Sequence, residues 1–344
     1  MPRAGTVATI HDVAALAGLS IKTVSRVVNR EPNVRAETVR RVQQAIKELD
    51  YRPNFSARNL AGRRAYLIAL LYDNPSDSYL VRVQEGALRA CQQLGMSLVL
   101  YPTGFDGPRL IENVITLVRE RRPMGLLLTP PVSDGTALLD ALDDLDQDYA
   151  RLSALDADRP GPLVTVDDRA AARDLTNHLF DVGHRRIAFV GGDEVHRSAY
   201  TRHEGFVDAH VARGLAPDPQ LVLRGASSFE SGLSCGRILL SRAERPTAIF
   251  AINDEMAAGV LHVARQLGIE VPAELSVAGF DDDPLARCTY PQLTTVRQPV
   301  RAMAELAVQR LVESTRDAAR DSVRQCLPHE LIIRNSTDRP PPIR

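Results

Sequence analysis

The chain has 344 residues, and its 42 Lys or Arg nearly balance 43 Asp or Glu, for a net charge of −1. The balance is uneven along the chain: residues 1–64 hold twelve Lys or Arg against five Asp or Glu, and the remainder is acidic. No apolar run approaches the length of a membrane-spanning helix, and the four cysteines at 91, 235, 288 and 326 show no paired spacing. They read as free thiols in a reducing cytoplasm.

Met1–Ala8 carries no long apolar run, so no signal peptide is expected. Thr9-Ile10-His11-Asp12 reads as a helix start, with Thr9 as cap and Asp12 near the positive helix end. Ile10, Val13, Ala14 and Ala17 form its apolar face, and Gly18 ends it. A short turn through Leu19 leads to a second helix that Ser20 is placed to cap. Winding Ile21–Asn29 at about 100° per residue puts Val24, Val27 and Val28 on one side. Ile21, Lys22, Ser25, Arg26 and Asn29 share the other, a mixture that suits base edges and thymine methyls in a major groove. The backbone N–H groups at Ser20 can meet a phosphate. A third helix, about Ala36–Leu49, repeats Val39, Val42, Ile46 and Leu49 and closes a small core. Two short helices joined so tightly make a helix-turn-helix, and the basic charge coincides with it.

These residues carry a resemblance. Ile10-His11-Asp12-Val13-Ala14, Gly18-Leu19-Ser20, Thr23-Val24-Ser25-Arg26-Val27-Val28-Asn29 and Tyr51-Arg52-Pro53-Asn54 are similar to the lactose/galactose repressor family of bacterial transcription regulators. The resemblance implies that Ile21, Lys22 and Arg26 read bases, with Thr9, Ser20, Ser25 and Asn29 in supporting contacts. Arg35 stands where the family often has a capping Ser, which either weakens the third helix's cap or adds a phosphate contact. Residues 54–64 resemble the family's hinge helix, too short to be stable alone in water. By that resemblance Leu60 is a wedge between central base pairs in the minor groove, with Arg63 on the backbone.

From Ala65 onward short apolar runs alternate with helical patterns. Expected strands lie at Leu67–Tyr72, Leu98–Tyr101, Gly125–Leu128 and Tyr149–Leu152, then near Leu163–Val166, Ile187–Val190, Leu221–Arg224, Ala248–Ile252 and Ser276–Phe280. Such alternation means parallel sheets with helices on both faces. The expected fold is an all-α helix-turn-helix head, residues 1–53, a hinge at 54–64, and an α/β body of two parallel-sheet subdomains. The body resembles the family's periplasmic-binding-protein-like body. Its first subdomain is placed at about 65–163 and 297–323, its second at about 164–296 and 324–334. A closing strand is read at about Gln325–Ile333, and the polar, proline-rich residues 335–344 as a disordered tail.

Open parallel sheets bind ligands beyond the carboxyl ends of their strands. Arg202, Asn253 and Asp281 all follow such ends, and an arginine, an amide and a carboxylate converging there can hold vicinal hydroxyls. Taken singly, Asn253 is also a good helix cap, Asp281–Asp283 a turn, and Arg202 a solvated helix residue. The resemblance assigns all three to a small-molecule effector, and adds Tyr79, Thr129 and Ser153 from the first subdomain. There is no Trp, and Ser227 occupies a position often aromatic in sugar-stacking relatives, leaving Phe229 or Tyr200 for that role.

Catalysis finds little support. Lys22 and Lys47 are the only lysines, both in the head, so the body has no Schiff-base or phosphate-loop lysine. No metal-ligand clustering of histidines appears, His178, His184 and His203 read as structural or surface residues, and no cofactor is implied. The expected protein is a non-enzymatic, sequence-specific DNA-binding regulator, a repressor, acting as a homodimer on a near-palindromic operator under control of a small-molecule effector, a sugar. A solute-binding transport protein is disfavoured by the basic head. The alternative is the same head fused to a sugar- or nucleotide-processing enzyme.

Overall fold

The computed structural model describes residues 8–28, 34–51, 65–74, 76–104, 109–156, 158–192, 197–315 and 324–341. The chain divides into two compact units, Met1–Tyr66 and Leu67–Arg344. The first holds α1 (Ile10–Ala17), α2 (Ile21–Val28) and α3 (Ala36–Glu48). The Thr9 hydroxyl accepts from the Asp12 N–H at 3.4 Å while the Asp12 carboxylate accepts from the Thr9 N–H at 2.8 Å, a reciprocal cap. Gly18 turns the chain at φ 61°, a left-handed conformation that favours glycine. Arg41 on α3 donates to the Ala17 carbonyl at 2.6 Å, so the end of α1 is held by a helix distant in sequence. The Ser20 hydroxyl accepts from the Thr23 N–H at 3.2 Å and starts α2.

Val24 is fully buried among Val13, Ala14, Ala17, Val42, Ala45 and Tyr51, a burial that contributes about 1.5–3 kcal/mol. Val27 and Val28 pack on the same core while only partly covered. At the start of α3, Arg35 makes no side-chain cap bond, so the departure from serine leaves this helix uncapped by a side chain. The expected hinge at 54–64, with Leu60 and Arg63, and Asn29 lie outside the described residues.

The second unit follows the alternation read from sequence. In order come β1 (Ala65–Tyr72), α4 (Asp77–Leu94), β2 (Ser97–Pro102), α5 (Leu110–Arg121), β3 (Pro123–Leu128), α6 (Thr136–Asp144), β4 (Tyr149–Leu152) and β5 (Leu163–Val166). Then follow α7 (Asp168–Asp181), β6 (Ile187–Gly191), α8 (Arg197–Val211), β7 (Val222–Arg224), α9 (Phe229–Leu240), β8 (Ala248–Ala251) and α10 (Asp254–Gln266). The chain closes with β9 (Ser276–Ala278), α11 (Pro284–Cys288), β10 (Thr295–Arg297), α12 (Val300–Ser314), β11 (Arg324–Leu327) and β12 (Glu330–Ile332).

A six-stranded sheet runs β11-β5-β4-β3-β1-β2, and a four-stranded sheet runs β7-β6-β8-β9 with every pair parallel. Strand β1 shows why its sequence is an unbroken apolar run. Ile68 and Leu70 face a core shared with α4 and α12, while Ala69 and Leu71 face another shared with α5 and α6. The four-stranded sheet has its own core around Phe189, Phe206 and Phe250. No helix among the described residues is long and apolar enough to cross a membrane. All four cysteines are unpaired, and burial pushes the Cys91 thiol up to about 12.

Three expectations need correction. Strands β5 and β11 pair with each other and join the first sheet, so residues 164–166 and 324–327 do not belong to the second subdomain. Alternation identifies strands but does not encode which edge they join. The closing strand expected at 325–333 is two strands, and β12 pairs antiparallel with β10. Residues 335–341 are not a disordered tail. Ser336 is fully buried, donating to the Val277 carbonyl at 2.5 Å and accepting from the Thr294 N–H at 2.8 Å. Polar composition suggested disorder because satisfied hydrogen bonds cannot be seen in composition.

Candidate functional site

In the first unit, α2 turns Ile21, 43% exposed, and Lys22 to solvent, with Ser25 and Arg26 half-buried beside them. The exposed part of the Ile21 side chain lies beside the Lys22 ammonium. It is a surface suited to a thymine methyl and a base edge.

In the second unit, the strand ends of both sheets converge on a cleft of about 630 Å³, counted with its open mouth. Tyr79, Ser153, Arg202, Asn253 and Asp281 all line it, so five of the seven residues expected from sequence are brought together. Thr129 and Phe229 are not among its described lining. Thr129 is fully buried, its hydroxyl directed at the Leu71 carbonyl at 3.4 Å, and Pro130 takes the surface instead. Phe229 begins α9 with its ring edge-on to His262, and Tyr200 is 62% exposed. Neither supplies the expected aromatic platform.

The placement of Arg202 starts from a glycine. A Cβ on Gly205 of α8 would stand 2.2 Å from the Arg169 carbonyl of α7, so only glycine permits this approach of the two helices. The approach brings Arg202, on α8, against Asp168, on the first turn of α7. Arg202 Nε donates to Asp168 Oδ1 at 2.7 Å and Nη1 to the Ile252 carbonyl at 2.8 Å. Nη2 lies 3.7 Å from Asp281 Oδ1, and the guanidinium stacks over the Phe280 ring at 3.7 Å. Burial works against the Arg202 charge, yet Asp168 and Asp281 more than offset it and hold its pKa above the usual value. Burial raises the Asp168 pKa, opposed by Arg202.

Asn253 takes the helix-cap role and also lines the cleft. Its Oδ1 accepts from the Met256 N–H at 2.9 Å, capping α10, and its Nδ2 donates to the Ser227 carbonyl at 2.8 Å. Ser227 and Ser153 both line the cleft with left-handed backbone, φ 57° and 50°. Asp281, at φ 105°, is held from two sides. Gln298 Nε2 donates to its carboxylate at 2.6 Å, and Arg82 Nη1 donates to its carbonyl at 2.7 Å. Arg82, reaching from α4, also pairs with the buried Asp283. Asp283 in turn donates its N–H to Asp254 Oδ2 at 2.8 Å. Burial first, then the Asp281 charge, holds the Asp254 carboxyl well above the ordinary range, and raises Asp283 in the same way. Burial also raises the Tyr79 phenol.

Nothing in this arrangement presents an activated nucleophile, and among the described residues no His, Cys, Asp and Glu group is placed to hold a metal. Ordered donors and acceptors facing a cleft between two sheets are the chemistry of reversible binding.

Comparison with known proteins agrees at both ends of the chain. Residues 9–54 match the model of bacterial regulatory proteins, lacI family, and residues 176–337 match that of a periplasmic binding protein-like domain. The HTH-type transcriptional regulator DegA of Bacillus subtilis (strain 168) is 31% identical over 332 residues, covering 96% of this chain and 98% of its own. The chain belongs to the lacI family of bacterial regulatory proteins. Among solved structures, the lac repressor dimer bound to operator and the anti-inducer ONPF aligns with a TM-score of 0.76 at 28% identity, over 97% of this chain and 100% of that one. The transcriptional regulator CelR–cellobiose complex aligns at 0.72 and 30% identity, over 96% and 99%. As in other lacI-family proteins, the chain is a DNA-binding transcriptional regulator with a body built for a small-molecule effector, not an enzyme.

Asp168, Gln298 and Arg82 escaped the sequence reading. Asp168 was within reach of the strand-end rule, since it follows β5 by two residues. Gln298 and Arg82 act across long sequence separations and carry no local signal.

Proposed function

We propose that the protein is a cytoplasmic repressor that binds a near-palindromic operator as a homodimer and changes its affinity when a sugar enters the cleft lined by Arg202, Asn253 and Asp281. The convergence of these three at adjoining strand ends, with Tyr79 and Ser153 opposite, is the observation that carries this reading. The cellobiose bound by CelR supports a sugar as the ligand class. Dimerisation is supported by the dimeric lac repressor and by apolar side chains left in solvent, Val81 and Leu88 on α4 and Val99 and Leu100 on the edge strand β2. Ile21, Lys22 and Arg26 read bases, and Thr9, Ser20, Ser25 and Asn29 contact the duplex around them. Leu60 and Arg63 act from the hinge. An effector that prefers one arrangement of the subdomains shifts DNA affinity by the same coupling energy.

Binding-site selection tests the DNA half. Exchanging Ile21 and Lys22 together should change the preferred half-site, whereas Arg63→Ala should weaken binding evenly across sequences. An unchanged selected motif in the double variant would falsify the base-reading assignment. Thermal stabilisation by a panel of sugars, lost in Asn253→Ala, tests the cleft.

A further inference from the structure

Among the described residues, the cleft has one guanidinium in its lining, and that guanidinium is already engaged. Arg202 gives Nε to Asp168 and Nη1 to the Ile252 carbonyl, turns Nη2 towards Asp281, and covers its face with Phe280. Both side chains of the Asp168 pair are 9% exposed, so water does little to screen it. Two lining carboxylates therefore stand against one cation.

The neighbouring basic group does not alter the balance. Arg82 is directed away, bonded to the Asp281 carbonyl and to Asp283, which itself adjoins the buried Asp254. Arg197, exposed at the start of α8, is not among the described lining. The remaining polar groups facing the space, including Asn74, Ser76, Ser198 and Ser227, are neutral.

We infer that the cleft selects an uncharged polyhydroxylated ligand and rejects its phosphorylated or carboxylated counterpart, with Asp168 as the specificity-determining residue. The inference rests on the reading of this cleft as the effector site. A phosphate or carboxylate entering it finds no free guanidinium to form a bidentate pair and faces the Asp281 carboxylate instead. A neutral sugar meets amide, hydroxyl and carboxylate partners without desolvating an unpaired charge. Asp168 decides the matter because it occupies the Nε edge of Arg202, one half of the fork that an anion would need. Replacing it with the isosteric Asn keeps the shape and one acceptor while returning the positive charge to the cleft.

Two measurements on the full chain test this. The first compares thermal shifts and calorimetric affinities for neutral compounds and their charged partners: ribose and ribose phosphate, glucose and glucose phosphate, cellobiose and cellobionate. A neutral member should bind, and its charged partner should bind roughly tenfold or more weakly. In Asp168→Asn the gap should narrow. The second needs no known effector. Sulfate, compared with chloride at equal ionic strength, should stabilise Asp168→Asn more than the unchanged protein, a difference that cancels the general effect of sulfate on folding.

An anionic member that binds as well as its neutral parent, and loses affinity in Arg202→Ala, overturns the inference while leaving the cleft as the effector site. A sugar whose binding survives both Arg202→Ala and Asn253→Ala overturns the assignment of the cleft itself, and the inference with it. Equal response of Asp168→Asn and the unchanged protein to sulfate also counts against it.

Discussion

Removing Arg82 should be among the most damaging single changes in the second unit, and removing its partner as well should reverse most of the damage. Arg82 lies on α4 and donates both to the Asp281 carbonyl and to Asp283 in the loop after β9. The side chains of Arg82 and Asp283 are only 10% and 3% exposed. Arg82→Met keeps most of the aliphatic stem but leaves the Asp283 carboxylate buried beside Asp254 and Asp281 with no cation. Breaking one side of such a buried pair costs about 3–5 kcal/mol. For a unit of this size that corresponds to a fall in Tm on the order of 10 °C. Arg82→Met with Asp283→Val removes both charges and should recover to within about 1–2 kcal/mol of the unchanged protein. Urea unfolding of the two single variants and the double variant gives the coupling energy from a double-mutant cycle. If the losses of the two single variants simply add, the bridge to Asp283 contributes nothing and Arg82 stabilises through its bond to the Asp281 carbonyl.

Gly205→Ala should force α7 and α8 apart, because its Cβ meets a backbone carbonyl rather than a flexible side chain. Stability should drop by roughly 2–4 kcal/mol, as overpacking at a rigid contact does, and sugar-induced stabilisation should vanish with the Asp168–Arg202 pair. Calorimetry at a temperature where the variant is folded separates the two effects. Leu60→Ala should leave binding to random DNA nearly intact and weaken operator binding by a few kcal/mol, because a wedge adds nothing to phosphate contact. Equal losses on both would show a folding defect. His184 bonds the Thr247 hydroxyl through Nδ1 and the Ser276 hydroxyl through Nε2, which also donates to the Asp338 carbonyl, and burial lowers its pKa beneath the ordinary 6.5. A lowered folded-state pKa means the unfolded chain binds the proton more readily, so this contribution is present above 6.5 and is lost as pH falls through the folded value. Stability measured from neutral pH down into the mildly acidic range should fall less steeply in His184→Gln than in the unchanged protein.

The fold was legible where periodicity decides it. The valine stripe of α2 and the two-faced apolar run of β1 both signal their surroundings within a few residues. Sheet membership was not legible, since β5 and β11 find each other across about 160 residues and nothing local distinguishes them from strands of the other sheet. The cleft was half legible. Arg202, Asn253 and Asp281 could be placed by the strand-end rule together with the family resemblance. The partners that set their charge and orientation, Asp168, Gln298 and Arg82, are products of tertiary contact. Thr129 was misplaced for a related reason: it follows a strand end, but its hydroxyl turns back to the Leu71 carbonyl while Pro130 faces the cleft.

The most direct test of the whole account is operator affinity measured with and without a saturating sugar that stabilises the protein. Fluorescence anisotropy on a selected operator should show the affinity shifting by the typical coupling of about 1–3 kcal/mol, roughly 5- to 150-fold. The same sugar should leave operator affinity unmoved in Arg202→Ala and Asn253→Ala, with the DNA-binding head still competent. Identical operator affinity with and without the bound sugar in the unchanged protein would contradict the account.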